Sequence, residues 1–408
     1  MKITKLKSTI VAVPTQAAPT SEEVRASNYR LAVLVEVFTD EGLVGLGEAP
    51  NPVGAETTKT IIDSAEPLLV GEDATDVERL KKKLYAYYNL THLHIHAACW
   101  ALNGIDMALW DIVGKSCRKP LYQIWGGAFR KKIEFYGDVR RKTKSSVAFC
   151  RASPDDVAAQ ASTLVEEGFK TFYMKIGFDE EEDLACVKAI REAIGSKMKI
   201  RVDANQSWSA GEAVRIIRRL SEYDLEFVDQ PVLMYNVDAL ARVRSSVDVP
   251  IASHESSWTM YEALNVLKRE AADVIHIDPR FDAGFMGARL TAGMAEAAGV
   301  PVVMHSFTEL GVAQCAYMHL IASVPNFIFA NQSGYRHLTD DIIKDGPLTF
   351  KDGCIDLPEN PGIGVELEPN KVETYARYYQ ENIKGKEFSQ PWLTPQYMLM
   401  QYRRFFGY

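Results

Sequence analysis

The sequence predicts an α/β fold, a modified (β/α)₈ barrel of the TIM type, together with an α+β capping domain. Eight short apolar runs alternate with amphipathic helical segments over roughly 200 residues. Polar residues stand at the C-terminal ends of nearly all of these runs, and no glycine-rich phosphate-binding motif follows them, which disfavours an open doubly wound sheet. The predicted strands are Ile133–Tyr136, Thr171–Ile176, Lys199–Val202, Leu225–Asp229, Ile251–His254, Val274–Ile277, Val302–His305 and Ile328–Ala330.

A different pattern precedes the barrel. Apolar and polar residues alternate along Ile3–Val13 and Leu31–Thr39, and the second run leads through a turn into Val44–Glu48. Helical spacing of apolar residues follows from Thr57 to Val113. We therefore predict a capping domain at residues 1–130 and a catalytic barrel at 131–345. The segment 346–408 is expected to return to the capping domain.

Composition excludes several classes of protein. The chain has 408 residues, 47% of them hydrophobic, and a formal net charge of −8, which is the wrong sign for a protein that binds the phosphate backbone of nucleic acids. No stretch approaches the ~20 apolar residues that cross a bilayer, so no membrane partner is expected. The N-terminus lacks the apolar core of a signal peptide, and the six cysteines have no CxxC spacing. A cytoplasmic location is the expectation.

Three acidic residues follow or close three consecutive predicted strands. Asp203, Asp229 and Glu255 are separated by 26 residues in each case, which is one βα unit. Each alone could be a surface charge or a helix cap, but together they would converge on the barrel mouth and repel one another unless a cation neutralised them. Oxygen ligands with room for water and substrate favour Mg²⁺. His254 could replace Glu255 as the third ligand, although Mg²⁺ prefers a carboxylate.

Two further groups are candidates for acid–base chemistry. Lys175 ends one strand, where a nearby cation and partial burial would lower its pKa and make it a general base, and Tyr173 shares its face. Asp278 and His305 end two adjacent strands, so the aspartate could fix the tautomer of the histidine and raise its basicity. His276 is a weaker candidate on the same strand as Asp278. The chain lacks a nucleophile-elbow pattern, which argues against covalent acyl transfer.

With these motifs in order, the chain resembles the enolase superfamily, and within it the mandelate racemase and muconate lactonizing enzymes, the mandelate racemase subgroup above all. The resemblance also covers 103–115 (NGIDMALWDIVGK) and 120–127 (PLYQIWGG), and extends over nearly the whole chain. It implies a capping domain over a modified barrel, an essential Mg²⁺, and abstraction of the proton α to a substrate carboxylate. It also implies a homo-oligomer with a small carboxylate substrate.

The resemblance assigns roles to individual positions. Asp203, Asp229 and Glu255 match the metal ligands, Lys175 matches the base of a K-x-K motif, Asp278 with His305 matches the opposing dyad, and Asn205 matches a polar neighbour of the site. The segments 16–28 and 49–54 correspond to loops that usually select substrate. Three positions depart from the family pattern: Tyr173 replaces the first lysine, Asp229 replaces a glutamate, and Asn331 stands where a substrate-binding glutamate often occurs.

These assignments predict a lyase that dehydrates a hydroxy-carboxylate, of the acid-sugar type, to a 2-keto acid. Lys175 or His305 would abstract the α-proton, and His305 or Tyr173 would protonate the departing hydroxyl. A racemase or epimerase could use the same two bases to exchange a proton between the faces of the substrate. A cycloisomerase, or a metal-binding barrel without turnover, are further alternatives.

Overall fold

In the described residues of the first part of the chain, three antiparallel strands pack with five helices. The computed structural model describes residues 1–15, 29–50, 54–88, 96–139, 153–282, 284–306 and 309–385. The strands are β1 (Ile3–Pro14), β2 (Tyr29–Thr39) and β3 (Val44–Ala49), in that order in the sheet. The helices are α1 (Ala55–Ser64), α2 (Glu66–Leu69), α3 (Val77–Tyr87), α4 (His96–Ser116) and α5 (Leu121–Ile124).

Alternating strands and helices make up the second part. The strands are β4 (Lys132–Glu134), β5 (Gly137–Val139), β6 (Thr171–Lys175), β7 (Lys199–Asp203), β8 (Leu225–Asp229), β9 (Ile251–Ser253), β10 (Val274–Ile277), β11 (Val302–Met304) and β12 (Cys354–Asp356). The helices are α6 (Pro154–Glu166), α7 (Glu180–Ile194), α8 (Ala210–Leu220), α9 (Val237–Arg244), α10 (Met260–Lys268), α11 (Phe285–Ala297), α12 (Gly311–Ser323) and α13 (Pro369–Tyr378). Strands β5 to β11 form one parallel sheet in chain order, as the sequence predicted for a β/α barrel.

Polar side chains start several barrel helices at the positions where free backbone N–H groups need an acceptor. Ser209 begins α8 and Thr259 begins α10, and each forms a capping box with a glutamate three residues later. Asp179 accepts from two backbone N–H groups at the start of α7. These caps fix where each helix starts after its strand, and so they fix the loops at the barrel mouth.

The prediction of an eighth strand at Ile328–Ala330 is wrong. Residues 328–330 form none, and the sheet closes instead through backbone hydrogen bonds of the next two residues. The Asn331 N–H donates to Glu134 O at 2.8 Å, Tyr136 N–H donates to Asn331 O at 3.0 Å, and Gln332 N–H donates to Met304 O at 3.1 Å. The first predicted strand, Ile133–Tyr136, is not one barrel strand. Its first residues belong to β4, which pairs with β12 in antiparallel fashion, and the barrel strand β5 begins only at Gly137.

Buried carboxylates of the first part anchor the barrel helices. Both oxygens of Glu48, on β3, accept from the backbone at the start of α12, from Leu310 at 2.7 Å and from Ala313 at 2.9 Å. Asp106, on α4, accepts from Phe285 N–H at the start of α11, at 2.9 Å. Their oxygens accept from N–H groups that are otherwise free at a helix start, and burial raises the pKa of Glu48 to about 8 and that of Asp106 to about 7. These contacts hold the strand-rich cap against the barrel.

The segment after the barrel lies against the first strands. The ring of Tyr378, at the end of α13, stacks on Tyr29 of β2 with centroids 4.4 Å apart. The Tyr379 hydroxyl donates to Glu56 Oε1 at 3.2 Å. The domain limits at residues 130 and 345 stay predictions. Among the described residues, no helix combines the length and the apolar character that a membrane crossing requires.

Candidate active site

Functional side chains stand side by side at the carboxyl ends of three neighbouring strands. Lys175 of β6, Asp203 of β7 and Asp229 of β8 are partners in the same row of the parallel sheet. Since strand residues in register present their side chains to the same face, these groups share one layer of the barrel mouth. Glu255 follows β9 in a short 3₁₀ helix, Glu255–Ser257. The three predicted carboxylates therefore come from consecutive strands, and all three are buried.

Both carboxylate oxygens of Asp203 accept hydrogen bonds from neighbouring residues. The Lys175 ammonium forms an ion pair with its Oδ2, and the Tyr173 hydroxyl donates to the same atom. The Asn205 N–H donates to Oδ1 at 2.6 Å, and the Asn205 side-chain amide donates to Glu255 Oε1. Asn205 thus ties two of the predicted ligands together, in a left-handed backbone conformation with φ 46°. Its predicted contact with substrate stays a prediction.

Several buried oxygens at this point have no hydrogen-bond partner in the described part of the chain. They are both carboxylate oxygens of Asp229 and Oε2 of Glu255. Burial raises the pKa of Glu255, while His254 opposes that rise. For Asp229, burial also favours the protonated form, but His276 and His254 outweigh it and hold the pKa well below its usual range. Unpaired buried carboxylate oxygens are the donors that a hard divalent cation takes, so these residues fit the predicted metal.

Two imidazoles border the same carboxylate. His276 Nε2 lies 3.1 Å from Asp229 Oδ2, and His254 Nδ1 lies 3.5 Å from that atom and 3.8 Å from Glu255 Oε2. Their rings stack with centroids 4.3 Å apart. His254 and Glu255 therefore both lie at the cluster, and the choice between them as ligand stays open. His276, a minor candidate in the sequence, lies in contact with Asp229.

The predicted dyad is formed. His305 Nδ1 and Asp278 Oδ2 are 2.7 Å apart, and both side chains are buried. Arg280 Nη2 also lies 3.1 Å from Nδ1, but the shorter contact is to the carboxylate, which can only accept, so we assign the proton to Nδ1 and leave Nε2 unprotonated. The expected rise in basicity is wrong: burial and the adjacent His254 lower the pKa of His305 well below its usual value, against the opposing effect of Asp278. The imidazole is therefore neutral and able to accept a proton.

Sequence reasoning missed Arg280, which lies behind the dyad and is 1% exposed. Its Nε donates to Asp278 Oδ1 at 2.7 Å and its Nη2 to Oδ2 at 2.6 Å, while Nη1 donates to Glu309 Oε1 at 2.8 Å. The pKa of Asp278 is well below its usual range, because Arg280 and the hydrogen bond from His305 outweigh burial. The sequence does show an arginine two residues after the strand-end aspartate. Its ion pair with Glu309, however, becomes visible only once the chain is folded.

Tyr173 and Asn331 have structural contacts. The ring of Tyr173 stacks on Tyr136 at 4.9 Å, and burial together with Asp203 raises the pKa of its phenol well above the usual value. It is thus a hydrogen-bond donor to Asp203. The side chain of Asn331 accepts from Met304 N–H at 2.9 Å and donates to Phe329 O at 3.1 Å, inside the closure of the sheet. Its predicted role in substrate binding stays a prediction.

Some predicted features lie outside the described residues. They include all of the loop 16–28 and the middle of 49–54, which the resemblance linked to substrate selection. The described site therefore consists of the acids, the Asp278–His305 pair and the lysine at the carboxyl ends of the barrel strands.

Comparisons with known proteins agree with this arrangement. Residues 5–126 match the N-terminal domain family of mandelate racemase and muconate lactonizing enzyme, and residues 156–371 match the enolase C-terminal domain-like family. An L-Ala-D/L-Glu epimerase of Bacillus subtilis is 32% identical over 90% of this chain and 97% of its own length. An arabinonate dehydratase of Saccharolobus solfataricus is 29% identical over 84% of this chain and 90% of its own.

A solved structure shares the architecture. The dipeptide epimerase of Enterococcus faecalis superposes with a TM-score of 0.80 at 26% identity, over 90% of this chain and 100% of its own. The relatives thus include both isomerases and dehydratases, which fits a shared reaction type and leaves the particular reaction open. On these matches, and on the fold and the strand-end residues described above, the chain belongs to the enolase superfamily, in the group of mandelate racemase and muconate lactonizing enzyme.

Proposed function

We propose that this chain is a Mg²⁺-dependent hydro-lyase that removes water from a small hydroxy-carboxylate of the acid-sugar class, giving a 2-keto acid. The observation that carries the proposal is the buried Asp278–His305 pair, whose hydrogen bond assigns the proton of a neutral imidazole to Nδ1 and makes Nε2 the basic nitrogen. Such a nitrogen can accept a proton from carbon and return it to a leaving group. An arabinonate dehydratase among the relatives also supports the proposal.

The reaction uses His305 twice. Its Nε2 takes the proton from the α-carbon, and the electron pair of that C–H bond moves toward the carboxylate. As the bond between the β-carbon and its hydroxyl breaks, the imidazolium gives the proton to that hydroxyl, which leaves as water. The remaining enol becomes the 2-keto acid. Asp278 keeps the ring in the required tautomer and stabilises the transient imidazolium.

The predicted ligands hold the metal in this proposal. Asp203, Asp229 and Glu255 would bind Mg²⁺ through the carboxylate oxygens gathered at the three strand ends. When bound, the ion supplies positive charge that stabilises the substrate carboxylate as negative charge builds up on it. Asn205 orients Asp203 and Glu255 through its backbone and side-chain donors. Tyr173 orients Asp203 through its hydroxyl.

Lys175 supports a second candidate, a racemase or epimerase. Its ammonium is paired with Asp203 and its side chain is partly exposed, so it can deliver a proton. A neutral base on one strand end and a protonated lysine on another are the pair that proton exchange between two faces requires. In the hydro-lyase, the same lysine supplies positive charge near the carboxylate of the substrate.

The test is a screen of hydroxy-acids and acid sugars in D₂O, with Mg²⁺ and with EDTA, followed by proton NMR. A Mg²⁺-dependent 2-keto product supports the hydro-lyase and names its substrate class. Deuterium at the α-carbon with the hydroxyl retained would favour the racemase or epimerase, and ring closure would favour a cycloisomerase. No change in any compound, by protein that binds Mg²⁺, would contradict the proposal and favour a non-catalytic barrel.

A further inference from the structure

A carboxylate and two imidazoles come together from three neighbouring strands. Asp229 ends β8, His254 follows β9, and His276 lies within β10. Each offers a donor atom, and these atoms lie within 4.8 Å of one another. All three side chains are buried. Two of these residues, His254 and His276, do not belong to the oxygen ligand set of the proposed function.

The polar atoms of this cluster are unpaired. Within the part of the chain that the structure describes, neither oxygen of Asp229 and none of the four ring nitrogens of His254 and His276 has a hydrogen-bond partner. Leaving such a group buried and unpaired costs about 1–3 kcal/mol each. Six unpaired atoms in one place need an occupant that satisfies several of them together, such as water or an ion.

Two of the three separations between donor atoms are close to those of donors that share one cation. Asp229 Oδ2 lies 3.1 Å from His276 Nε2 and 3.5 Å from His254 Nδ1, near enough to hydrogen-bond but without the required alignment. Ligand atoms bound about 2.0–2.1 Å from one metal lie about 3.0–3.4 Å from each other. The stacked arrangement of the two rings means that one ring must turn for both nitrogens to bind.

We propose that this protein binds a first-row divalent transition metal, of the Mn²⁺, Co²⁺ and Zn²⁺ class, through Asp229, His254 and His276. Imidazole nitrogen is a preferred ligand of these metals, whereas Mg²⁺ prefers oxygen. Asp229 is common to this set and to the oxygen set, since both of its oxygens are free of hydrogen bonds. The proposal concerns the resting protein and does not depend on which substrate is turned over.

Aromatic neighbours make the site selective. The His254 ring packs against Trp258 with centroids 4.7 Å apart, and the His276 ring meets the edge of Phe227 at 6.2 Å. An apolar layer behind the ligands limits the water available to a strongly hydrated cation. Mg²⁺ gives up its water reluctantly, so this side of the mouth favours transition metals, which exchange water for imidazole more readily.

The test uses Co²⁺ as a probe with chelator-treated full-length protein. We expect visible absorption bands from bound Co²⁺. About one equivalent of Co²⁺ per chain should stay bound when Mg²⁺ is present in excess. His254→Asn and His276→Asn should each weaken Co²⁺ binding by more than the 10–100-fold that loss of a supporting contact costs. Glu255→Gln should keep the bands. His319→Asn, which changes a buried imidazole of α12, is the matched control and should bind as the wild type does.

The result that would overturn the proposal is Co²⁺ binding that is absent, or equal in the wild type and in both histidine variants. Because these variants could fold poorly, circular dichroism is recorded for each. X-ray absorption at the cobalt edge of the wild type gives a second readout that needs no variant. Scattering from two imidazoles supports the site, and its absence contradicts it. None of these readouts uses substrate, so failure here is distinct from failure of the proposed function.

Discussion

Removing the Arg280 guanidinium should destabilise the protein strongly, because it is the cation between two buried carboxylates. It donates twice to Asp278 and once to Glu309, over distances of 2.6–2.8 Å, and is 1% exposed. The change Arg280→Gln preserves a polar side chain but removes the charge. Asp278 and Glu309 then stay buried without the positive charge of Arg280.

The expected size follows from that burial. Breaking a buried ion pair by removing one partner costs about 3–5 kcal/mol. Since Arg280 serves two carboxylates, we expect the upper end, about 5 kcal/mol, in the free energy of unfolding. Arg280→Lys keeps the charge but loses the bidentate contact with Asp278. Its free energy of unfolding should lie between those of Arg280→Gln and the wild type. Adding Asp278→Asn to Arg280→Gln should cost less than the sum of the two single changes.

Urea unfolding followed by circular dichroism measures these effects. Arg219→Gln is the control, because Arg219 pairs with Glu180 and Glu181 on the surface. That variant should leave the urea midpoint unchanged. A loss below about 1 kcal/mol for Arg280→Gln would refute the account of Arg280 as the buried counter-charge of the dyad.

Two further predictions concern stability. Burial lowers the pKa of His319 to about 4, and its Nε2 lies 2.9 Å from Ile363 O. In the unfolded chain the pKa of this histidine is near 6.5, so only the unfolded state gains a proton as the pH falls. The free energy of unfolding should therefore fall by about 2 kcal/mol between neutral pH and pH 5. Urea titrations at both pH values should find a smaller fall in the free energy of unfolding for His319→Gln than for the wild type. An equal fall in both proteins would contradict the attribution of this pH dependence to His319. Gly47→Ala should cost about 3 kcal/mol or more, since a Cβ there would overlap the carbonyl of Gly104 on α4. Gly293→Ala, in open space on α11, should instead gain up to about 1 kcal/mol in the same measurement, and equal effects at both positions would refute the packing argument.

The grouping of the candidate site residues could be predicted from the sequence, because the parallel strands of a barrel bring their carboxyl ends to one mouth. Strands buried on both faces are apolar, so an acid at a strand end is conspicuous, and the equal spacing of Asp203, Asp229 and Glu255 indicated one shared site. The hydrogen bond between Asp278 and His305 followed from the same rule for two adjacent strands. The fold class is confirmed, and the matching families cover both its parts.

Other features depend on contacts that the sequence does not reveal. The resemblance assigned Asn331 to substrate binding, which stays a prediction, but it gave no sign that the amide of Asn331 also hydrogen-bonds within the closure of the sheet. The low pKa of His305 comes from burial and from His254, which approaches through space. Residues 328–330, the eighth predicted strand, form no ladder, and backbone hydrogen bonds of Asn331 and Gln332 close the sheet in their place.

The central claim, that His305 moves the α-proton, is tested most directly by comparing His305→Asn with the wild type on a substrate found in the screen. We predict a fall in kcat/KM of about 10²–10⁴-fold, the range that a general acid–base group contributes, with fold and Mg²⁺ binding preserved. His319→Asn should turn over at the wild-type rate under the same conditions. Wild-type kcat/KM in His305→Asn, with exchange of the α-proton unchanged, would contradict the account.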